Sequence, residues 1–319
     1  MAAAIIEIEG LTKDYPSGFW RKRWKRSLDN LTLQVCDGEI FGFLGPNGAG
    51  KTTTLKLLMG LIFPTSGTAR IGGRSIEEVA MHRDIGYLPE HPYFYDYLTA
   101  RELLDYYAKF SDYGTGERRQ RVDRFLNLVG LASAGNVQLR KFSKGMLQRV
   151  GIAQAILHDP KVVFLDEPMS GLDPVGRREV RDIILELKQQ GRTIFFSTHI
   201  LSDAEMLCDR VGVLVGGKLQ GIGPPREIVS VDVQSLEILF ELPEGRSIPP
   251  RLAAEATFIG GRFRVAIAET GLYGAIEQLR AAEARILSVT QVRPTLEDYF
   301  IGVVGREHAA TKHEEPVLR

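Results

Sequence analysis

Apolar residues fall in short runs and alternations along this chain, and the period changes from stretch to stretch. Ile5, Ile6 and Ile8 begin one strand, and Leu31, Leu33 and Val35 alternate in another, so residues 4–44 are expected to form short strands with turns. The apolar run within Glu39-Ile40-Phe41-Gly42-Phe43-Leu44 reads as a buried strand. Thr53–Met59 has helical character and stops at Gly60, a good residue just past a helix end. Residues 61–84 are mixed, with Gly72-Gly73 as a turn signal. From Thr99 the spacing is helical. Thr99 and Glu102 match a capping box before Leu103, Leu104 and Tyr107. A second helix over about Glu117–Val129 carries Val122, Phe125, Leu126 and Val129 on one face. Residues 85–158 therefore look like a helical insertion in an α/β domain.

The α/β pattern returns over residues 161–215. Val162–Leu165 and Thr193–Ser197 read as buried strands. Between them Asp173 is an N-cap with Pro174 at the first helical position, and the helix buries Val180, Ile183, Ile184 and Leu187 before stopping near Gly191. Ser202 and Glu205 are expected to cap the next helix. Val211–Val215, Gly216-Gly217 and Lys218–Gln220 read as a hairpin. Gly221–Pro225 is the best boundary. Beyond it come strands at Leu236–Leu242, Arg262–Ile267 and Ile286–Val292, a helix at Leu272–Ala282, and a short helix opened by Thr295 and Asp298. The expected domains are thus 1–228, with its helical part at about 85–158, and a small α+β domain at 229–305. A polar tail at 306–319 reads as disordered.

Composition narrows the class. A length of 319 residues suggests two domains, and 44% hydrophobic with 25% charged residues is a globular balance. Lys+Arg and Asp+Glu are both 40, so no overall charge draws the chain to nucleic acid. Cys36 and Cys208 are far apart, have no metal-ligand spacing, and fit two thiols in a reducing cytosol. The start lacks a basic region and a long apolar core, so it is not a signal peptide. No apolar run reaches the roughly 18–20 residues of a membrane helix, so work at a membrane would need another chain to cross it. The basic run Arg21–Arg26, which contains Trp24, reads either as a solvated hairpin tip or as a contact for lipid headgroups or an acidic partner.

The chemistry begins at Gly45-Pro46-Asn47-Gly48-Ala49-Gly50-Lys51-Thr52-Thr53, which fits the phosphate-loop pattern G-x-x-x-x-G-K-[ST] between a strand and a helix. Gly45, Gly48 and Gly50 let backbone N–H groups wrap a phosphate, and the helix N-terminus adds donors. Lys51 would reach the β- and γ-phosphates, and Thr52 would give its hydroxyl to Mg²⁺. The strand Val162–Leu165 ends in Asp166-Glu167. Asp166 suits Mg²⁺, and Glu167 suits a general base for the attacking water. Ser143-Lys144-Gly145, before a helix, is either a second anion site or a plain cap. His199 ends a buried strand, where it either touches a γ-phosphate or serves the structure.

Taken together, these residues resemble the ATP-binding subunit of ABC transporters over about residues 4–228. The order of phosphate loop, signature, acidic strand end, D-loop and histidine switch carries the resemblance. It implies a P-loop ATPase core with an antiparallel β subdomain and a helical insertion, with ATP and Mg²⁺ as ligands. It implies that Tyr15 stacks on adenine, that Ser170-Gly171-Leu172-Asp173 is the D-loop and that Ser197-Thr198-His199 is the switch. It further implies a head-to-tail dimer, with itself or a paralogous subunit, in which Ser143 and Gly145 bind the γ-phosphate held by the opposite Lys51. A transmembrane permease would be the partner, at the cytoplasmic face of the membrane. Glu90–Leu98, rich in aromatics, is then the natural permease contact, unless those rings pack in the core. Two departures stand out. The signature usually reads Leu-Ser-Gly-Gly-Gln and here is Phe142-Ser143-Lys144-Gly145-Met146, with Lys144 directed either toward phosphate or toward solvent. Glu90 stands where many relatives carry Gln, which keeps an oxygen for Mg²⁺ and adds negative charge, so altered turnover or coupling is expected. The ending Thr295–Phe300 resembles the accessory segment after some ABC-2 type exporter ATPases. That segment reads as a dimerisation, regulatory or purely stabilising unit. The rival is a related ATPase acting on ribosomes or nucleic acid. A single phosphate loop, the absence of a long coiled coil and a neutral net charge argue against it.

Overall fold

A computed structural model describes residues 3–17, 23–111, 113–228, 235–243, 245–292 and 295–314. The chain divides into two compact units, Met1–Ile228 with Phe300–Arg319, and Val229–Tyr299.

The first unit opens with two strands much longer than the short ones expected, β1 (Ala4–Ser17) and β2 (Arg23–Cys36), paired antiparallel. Register shifts at Ile8/Leu11 and Leu11/Lys13 keep Ile8, Leu11, Leu28 and Leu31 all buried. Of the basic run, Arg21 and Lys22 lie outside the described residues. Trp24 is exposed on β2, and Arg26 pairs with Asp14 and Asp29. Next come β3 (Ile40–Leu44), α1 (Lys51–Leu58), β4 (Ser66–Ile71), β5 (Arg74–Ser75) and β6 (Ile85–Leu88). Three helices follow: α2 (Ala100–Ala108), α3 (Thr115–Leu128) and α4 (Lys144–Ile156). Both halves of the Thr99–Glu102 capping box form at the start of α2. The remaining elements are β7 (Val162–Asp166), α5 (Pro174–Gln189), β8 (Thr193–Thr198), α6 (Leu201–Leu207), β9 (Arg210–Val215), β10 (Lys218–Gly223) and α7 (Pro225–Ile228). Gly221–Pro225 is therefore the end of β10 and the start of α7.

Six strands in the order β10-β9-β3-β8-β7-β6 form a sheet whose inner pairs are all parallel, and β2-β1-β4-β5 form an antiparallel sheet. β6 belongs to the parallel sheet, so the helical insertion begins after Leu88 and not at residue 85. Alternation along the buried strands sorts the core into two faces. Ile40, Val163, Leu165, Ile194 and Phe196 pack with α2–α5. Phe41, Phe43, Val162, Phe164 and Phe195 pack with Leu55, Leu57 and Leu58 of α1 and with Ile6, Ile8 and Ile71 of the antiparallel sheet. The expected cap of α6 does not form. That helix starts at Leu201, one residue before Ser202, so the N-cap position falls to Ile200, whose side chain has no acceptor.

The second unit contains β11 (Ser235–Glu241), α8 (Pro250–Ala253), β12 (Ala256–Ile259), β13 (Arg262–Ile267), α9 (Leu272–Ala281) and β14 (Arg285–Val292). The sheet order β12-β13-β11-β14, antiparallel throughout, makes this a split β-α-β unit. Leu236, Ile238, Phe240, Val265, Ala275 and Leu279 form its core. The last helix, α10 (Leu296–Glu314), begins with reciprocal bonds between Thr295 and Asp298. It continues through Arg306, where a disordered tail is expected from polarity alone. The Glu, Ala and Lys of that stretch are good helix formers. Residues 315–319 lie outside the described residues.

Candidate functional site

Parallel pairing sets the site. Leu44 lies opposite Thr198, and Asp166 opposite Ser197, so the C-terminal ends of β3, β7 and β8 finish at one level. Ligands of open parallel sheets gather at that edge. The turn after β3 needs its glycines. A Cβ on Gly45 would lie 2.4 Å from Leu214 O, and one on Gly50, where φ is +108°, would lie 2.5 Å from Ser27 O. The chain then enters α1, and no acceptor among the described residues engages the N–H groups of Lys51, Thr52 and Thr53. These donors face a cavity of about 310 Å³ lined by Asn47, Gly48, Gly50, Lys51, Thr52 and Thr53 together with Glu90, Glu167 and His199.

Lys51 is buried, donates to Gly45 O at 2.6 Å and lies 3.5 Å from Glu167 Oε1. The other carboxylate oxygen of Glu167 is 2.8 Å from His199 Nδ1. Glu167 has φ +49°, a strained backbone for a non-glycine residue. Its N–H is held by Ser197 through the carbonyl at 3.1 Å and Oγ at 3.2 Å. The same hydroxyl donates to Asp166 Oδ1 at 2.5 Å, and Thr52 Oγ1 donates to Asp166 Oδ2 at 3.2 Å. Burial holds the Asp166 carboxyl above its usual range. The Ser197 and Thr52 hydrogen bonds oppose this rise, and the charges of Glu90 and Glu167 add to it. Burial, then Asp166 and Glu90, push the Tyr87 phenol up to about 12.

A site that holds a buried carboxylate against its own preference, beside two more carboxylates, favours a cation. Thr52 Oγ1, Asp166 and Glu90 are hard oxygen donors suited to Mg²⁺. No group of three or more His, Cys, Asp or Glu side chains able to hold a metal occurs among the described residues. Water and phosphate oxygens would complete the shell, which is how Mg²⁺ is usually held beside nucleotides.

The structure does not bring every candidate residue to this cavity. Gly45 offers its carbonyl to Lys51 and does not line the cavity. Tyr15 lies half-buried on β1 opposite Lys25, with Lys13 Nζ 5.3 Å from its ring centre, and is not a lining residue. Ser143 accepts from Met146 N at 3.2 Å, and Asp173 accepts from Gly176 N at 2.8 Å, each capping its own helix. Gly145 lies beside Gly176 where α4 and α5 begin. Of the aromatics after Glu90, Phe94 packs on the core while Tyr93, Tyr95 and Tyr97 are exposed. The cavity also includes Pro46 of the phosphate loop and Ser170 of the D-loop segment, together with Ser27, which pattern reasoning did not single out. Ser27 Oγ lies 2.9 Å from Thr53 Oγ1. Only the pairing that brings β2 over the loop reveals Ser27.

Comparison with known proteins agrees with this geometry. A family model described as ABC transporter matches residues 28–170. An uncharacterised ABC transporter ATP-binding protein of Synechocystis sp. is 45% identical over 304 residues, 94% of this chain and 84% of that protein. A fluoroquinolones export ATP-binding protein of Mycobacterium tuberculosis is 40% identical over 226 residues, 70% of this chain and 72% of that one. Among solved structures, a dimeric ATP-binding cassette in a post-hydrolysis state with ADP and phosphate superposes with a TM-score of 0.62 at 26% identity, covering 69% of this chain and 98% of that one. With the phosphate loop, the paired acids and the histidine at one sheet edge, the chain belongs to the ATP-binding subunits of ABC transporters and is an ATPase.

Proposed function

We propose that this chain is the motor of an exporter: two ATPase chains close head to tail on ATP and drive a separate membrane permease. The observation that carries this reading is the separation of two anion-binding elements. The loop Gly45–Thr53 faces the cavity, whereas Ser143 and Gly145 sit at another helix start and do not line it. One phosphate does not use both within one chain, and a second copy or a paralogous subunit brings them together. Among the described residues no helix is long and apolar enough to cross a membrane, so the crossing falls to the partner. The chain then works at the cytoplasmic face. Export is supported by the relative named for fluoroquinolone export.

In this reading Lys51 exchanges Glu167 and Gly45 O for the β- and γ-phosphates, and Tyr15 stacks on adenine. The loop amides and Asn47, Gly48 and Gly50 surround the phosphates, with Thr53 held by Ser27. Thr52, Asp166 and Glu90 would hold Mg²⁺, which would neutralise phosphate charge. Glu167 takes the proton of the attacking water as its oxygen bonds to the γ-phosphorus and the ADP oxygen leaves. His199 fixes the Glu167 carboxylate through the 2.8 Å contact and faces the γ-phosphate. Ser143, Gly145 and Asp173 act across the dimer.

The test combines two measurements. Glu167→Gln removes the base and should trap an ATP-bound dimer by light scattering, while the nucleotide-free protein stays monomeric. A tagged chain drawn from native cells in mild detergent should bring a multi-span permease with it. Recovery of ribosomal or DNA-bound proteins without a permease would overturn the transport reading.

A further inference from the structure

Ser27 lines the phosphate cavity from the antiparallel sheet, and a break in strand pairing puts it there. Between β1 and β2, Lys13 lies opposite Leu28 and Asp14 opposite Arg26. One step along β1 thus spans two along β2, and Ser27 is the extra residue of a β-bulge. Bulges bend the strand and re-aim the side chain they carry. The flanking residues keep to core and solvent: Leu28 is fully buried, and Arg26 is exposed. Half-buried Ser27 turns instead to the start of α1, where its Oγ lies 2.9 Å from Thr53 Oγ1. Its carbonyl closes over the loop, 2.5 Å from a Cβ placed on Gly50 and 3.0 Å from one placed on Gly217, in the turn between β9 and β10. That turn ties strand to loop. Asp29 N donates to Gly217 O at 2.9 Å, and Gly217 N donates to Ala49 O at 3.1 Å. Backbone contacts therefore fix the bulge against the loop, whatever its side chain.

A hydroxyl has one hydrogen to give and can accept as well. Two hydroxyls bonded to each other spend one hydrogen on the bond and keep the other. Neither Ser27 nor Thr53 has another side-chain partner among the described residues. The remaining O–H is left in a cavity that already receives the N–H groups of Lys51, Thr52 and Thr53. We propose that Ser27 is a positioning residue for the nucleotide phosphates: it donates to Thr53 Oγ1 and so leaves the Thr53 hydrogen for a phosphate oxygen. The neighbouring threonine shows the alternative. Thr54 Oγ1 turns back along the helix and donates to Gly50 O at 3.0 Å, the usual habit of a helical threonine. Ser27 keeps Thr53 from doing the same toward Ala49 O, which Gly217 N already uses. This role deepens the reading of the cavity as a nucleotide site and rests on it, and it needs neither a dimer nor a permease. It acts on affinity and leaves the Glu167 step alone.

The experiment measures binding to the full chain by calorimetry, with MgADP and inorganic tripolyphosphate as probes, together with steady-state ATP hydrolysis. Ser27→Ala should weaken both probes about threefold to tenfold, the worth of one hydrogen bond. Tripolyphosphate has no base or ribose, so an equal loss for both assigns the contact to phosphate. KM for MgATP should rise by a similar factor, with kcat within about twofold. Ser27→Thr keeps the hydroxyl and should restore binding. Thr53→Val should weaken tripolyphosphate by itself, and adding Ser27→Ala to it should cost less than about twofold more, because Ser27 acts through Thr53. Unchanged tripolyphosphate affinity in Ser27→Ala would overturn the positioning role. So would a loss of full size in the Thr53→Val background, or a lowered kcat at unchanged KM. Failure of the unaltered chain to bind either probe would instead overturn the nucleotide reading, and the role of Ser27 with it.

Discussion

Ser197 is the hinge between the two acids, and Ser197→Ala is the sharpest test of the site's construction. The side chain is fully buried, donates to Asp166 Oδ1 at 2.5 Å and accepts from Glu167 N at 3.2 Å. Alanine keeps the strand and most of the volume. The Glu167 N–H retains the Ser197 carbonyl, and Asp166 retains Thr52. What is lost is the hydrogen bond to a buried carboxylate, worth about 1.5–3 kcal/mol, and with it the second acceptor of the Glu167 N–H. Against a typical domain stability of about 5–15 kcal/mol this is a large fraction. The proton balance also shifts. The folded carboxyl of Asp166 already sits above its ordinary 3.8, and the Ser197 bond is the largest influence lowering it. Between the unfolded and folded values the native protein holds a proton that the unfolded chain has released, so stability falls as pH rises through that window. Removing Ser197 widens the window upward and raises the cost of keeping Asp166 ionised for a cation. Urea unfolding should show the loss directly. In ATPase assays the Mg²⁺ needed for half-maximal rate should rise, and rise more at pH 6 than at pH 8. A stability change below about 0.5 kcal/mol with superimposable Mg²⁺ curves would refute the reasoning, because a hydroxyl bridging buried charges is worth more than that.

Other outcomes follow from single residues. Glu90→Gln removes a charge that raises Asp166 and Tyr87, so the acid limb of the pH–rate profile should move to lower pH. Unchanged turnover, Mg²⁺ dependence and transport would contradict this. Gly50→Ala meets Ser27 O and a φ of +108°. It should cost about 1–3 kcal/mol from backbone strain alone and abolish nucleotide binding, as read by melting and by a fluorescent ATP analogue. A normally stable variant that still binds would overturn the reading. His158, which faces Ile85 O at 2.8 Å, is held by burial below its ordinary 6.5. The unfolded chain takes up a proton first as pH drops, so stability should fall through the window below about 6.5. His158→Gln should flatten that fall, and parallel melting-temperature curves between pH 7.5 and 5.5 would refute it.

The legible parts of this molecule were those whose physics is local. Gly45–Thr53 declares a phosphate loop because glycine spacing, a preceding apolar run and a following helix all lie within a few turns of chain. Asp173-Pro174 and the Thr99–Glu102 pair announce helix starts for the same reason, and both caps form. What the sequence hid was set by pairing at a distance. Four residues at Ile85–Leu88 are too short to separate from the helices that follow, and only β7 makes them a sheet strand. Ser27 looks like any strand serine until β2 crosses the loop. β12 was missed because Ala256–Ile259 is mostly exposed, so no buried alternation marks it. Lys144 had two open directions, solvent or phosphate, and it is exposed.

The place of β8 bears on how the protein is made. It lies between β3 and β7 and pairs with both, Ile40 opposite Ile194 and Val162 opposite Thr193. A growing chain that has released β7 already carries Lys51, Asp166 and Glu167, yet the strand that joins their supports is still to come. Until Thr193–Thr198 emerges, Ile40–Leu44 and Val162–Asp166 offer unpaired apolar edges, the kind of surface that aggregates or that chaperones cover. Such long-range parallel pairing folds slowly. The nucleotide site is therefore completed late in synthesis, and a chain cut between Glu167 and Thr193 retains its phosphate-loop sequence with no sheet to hold it in place.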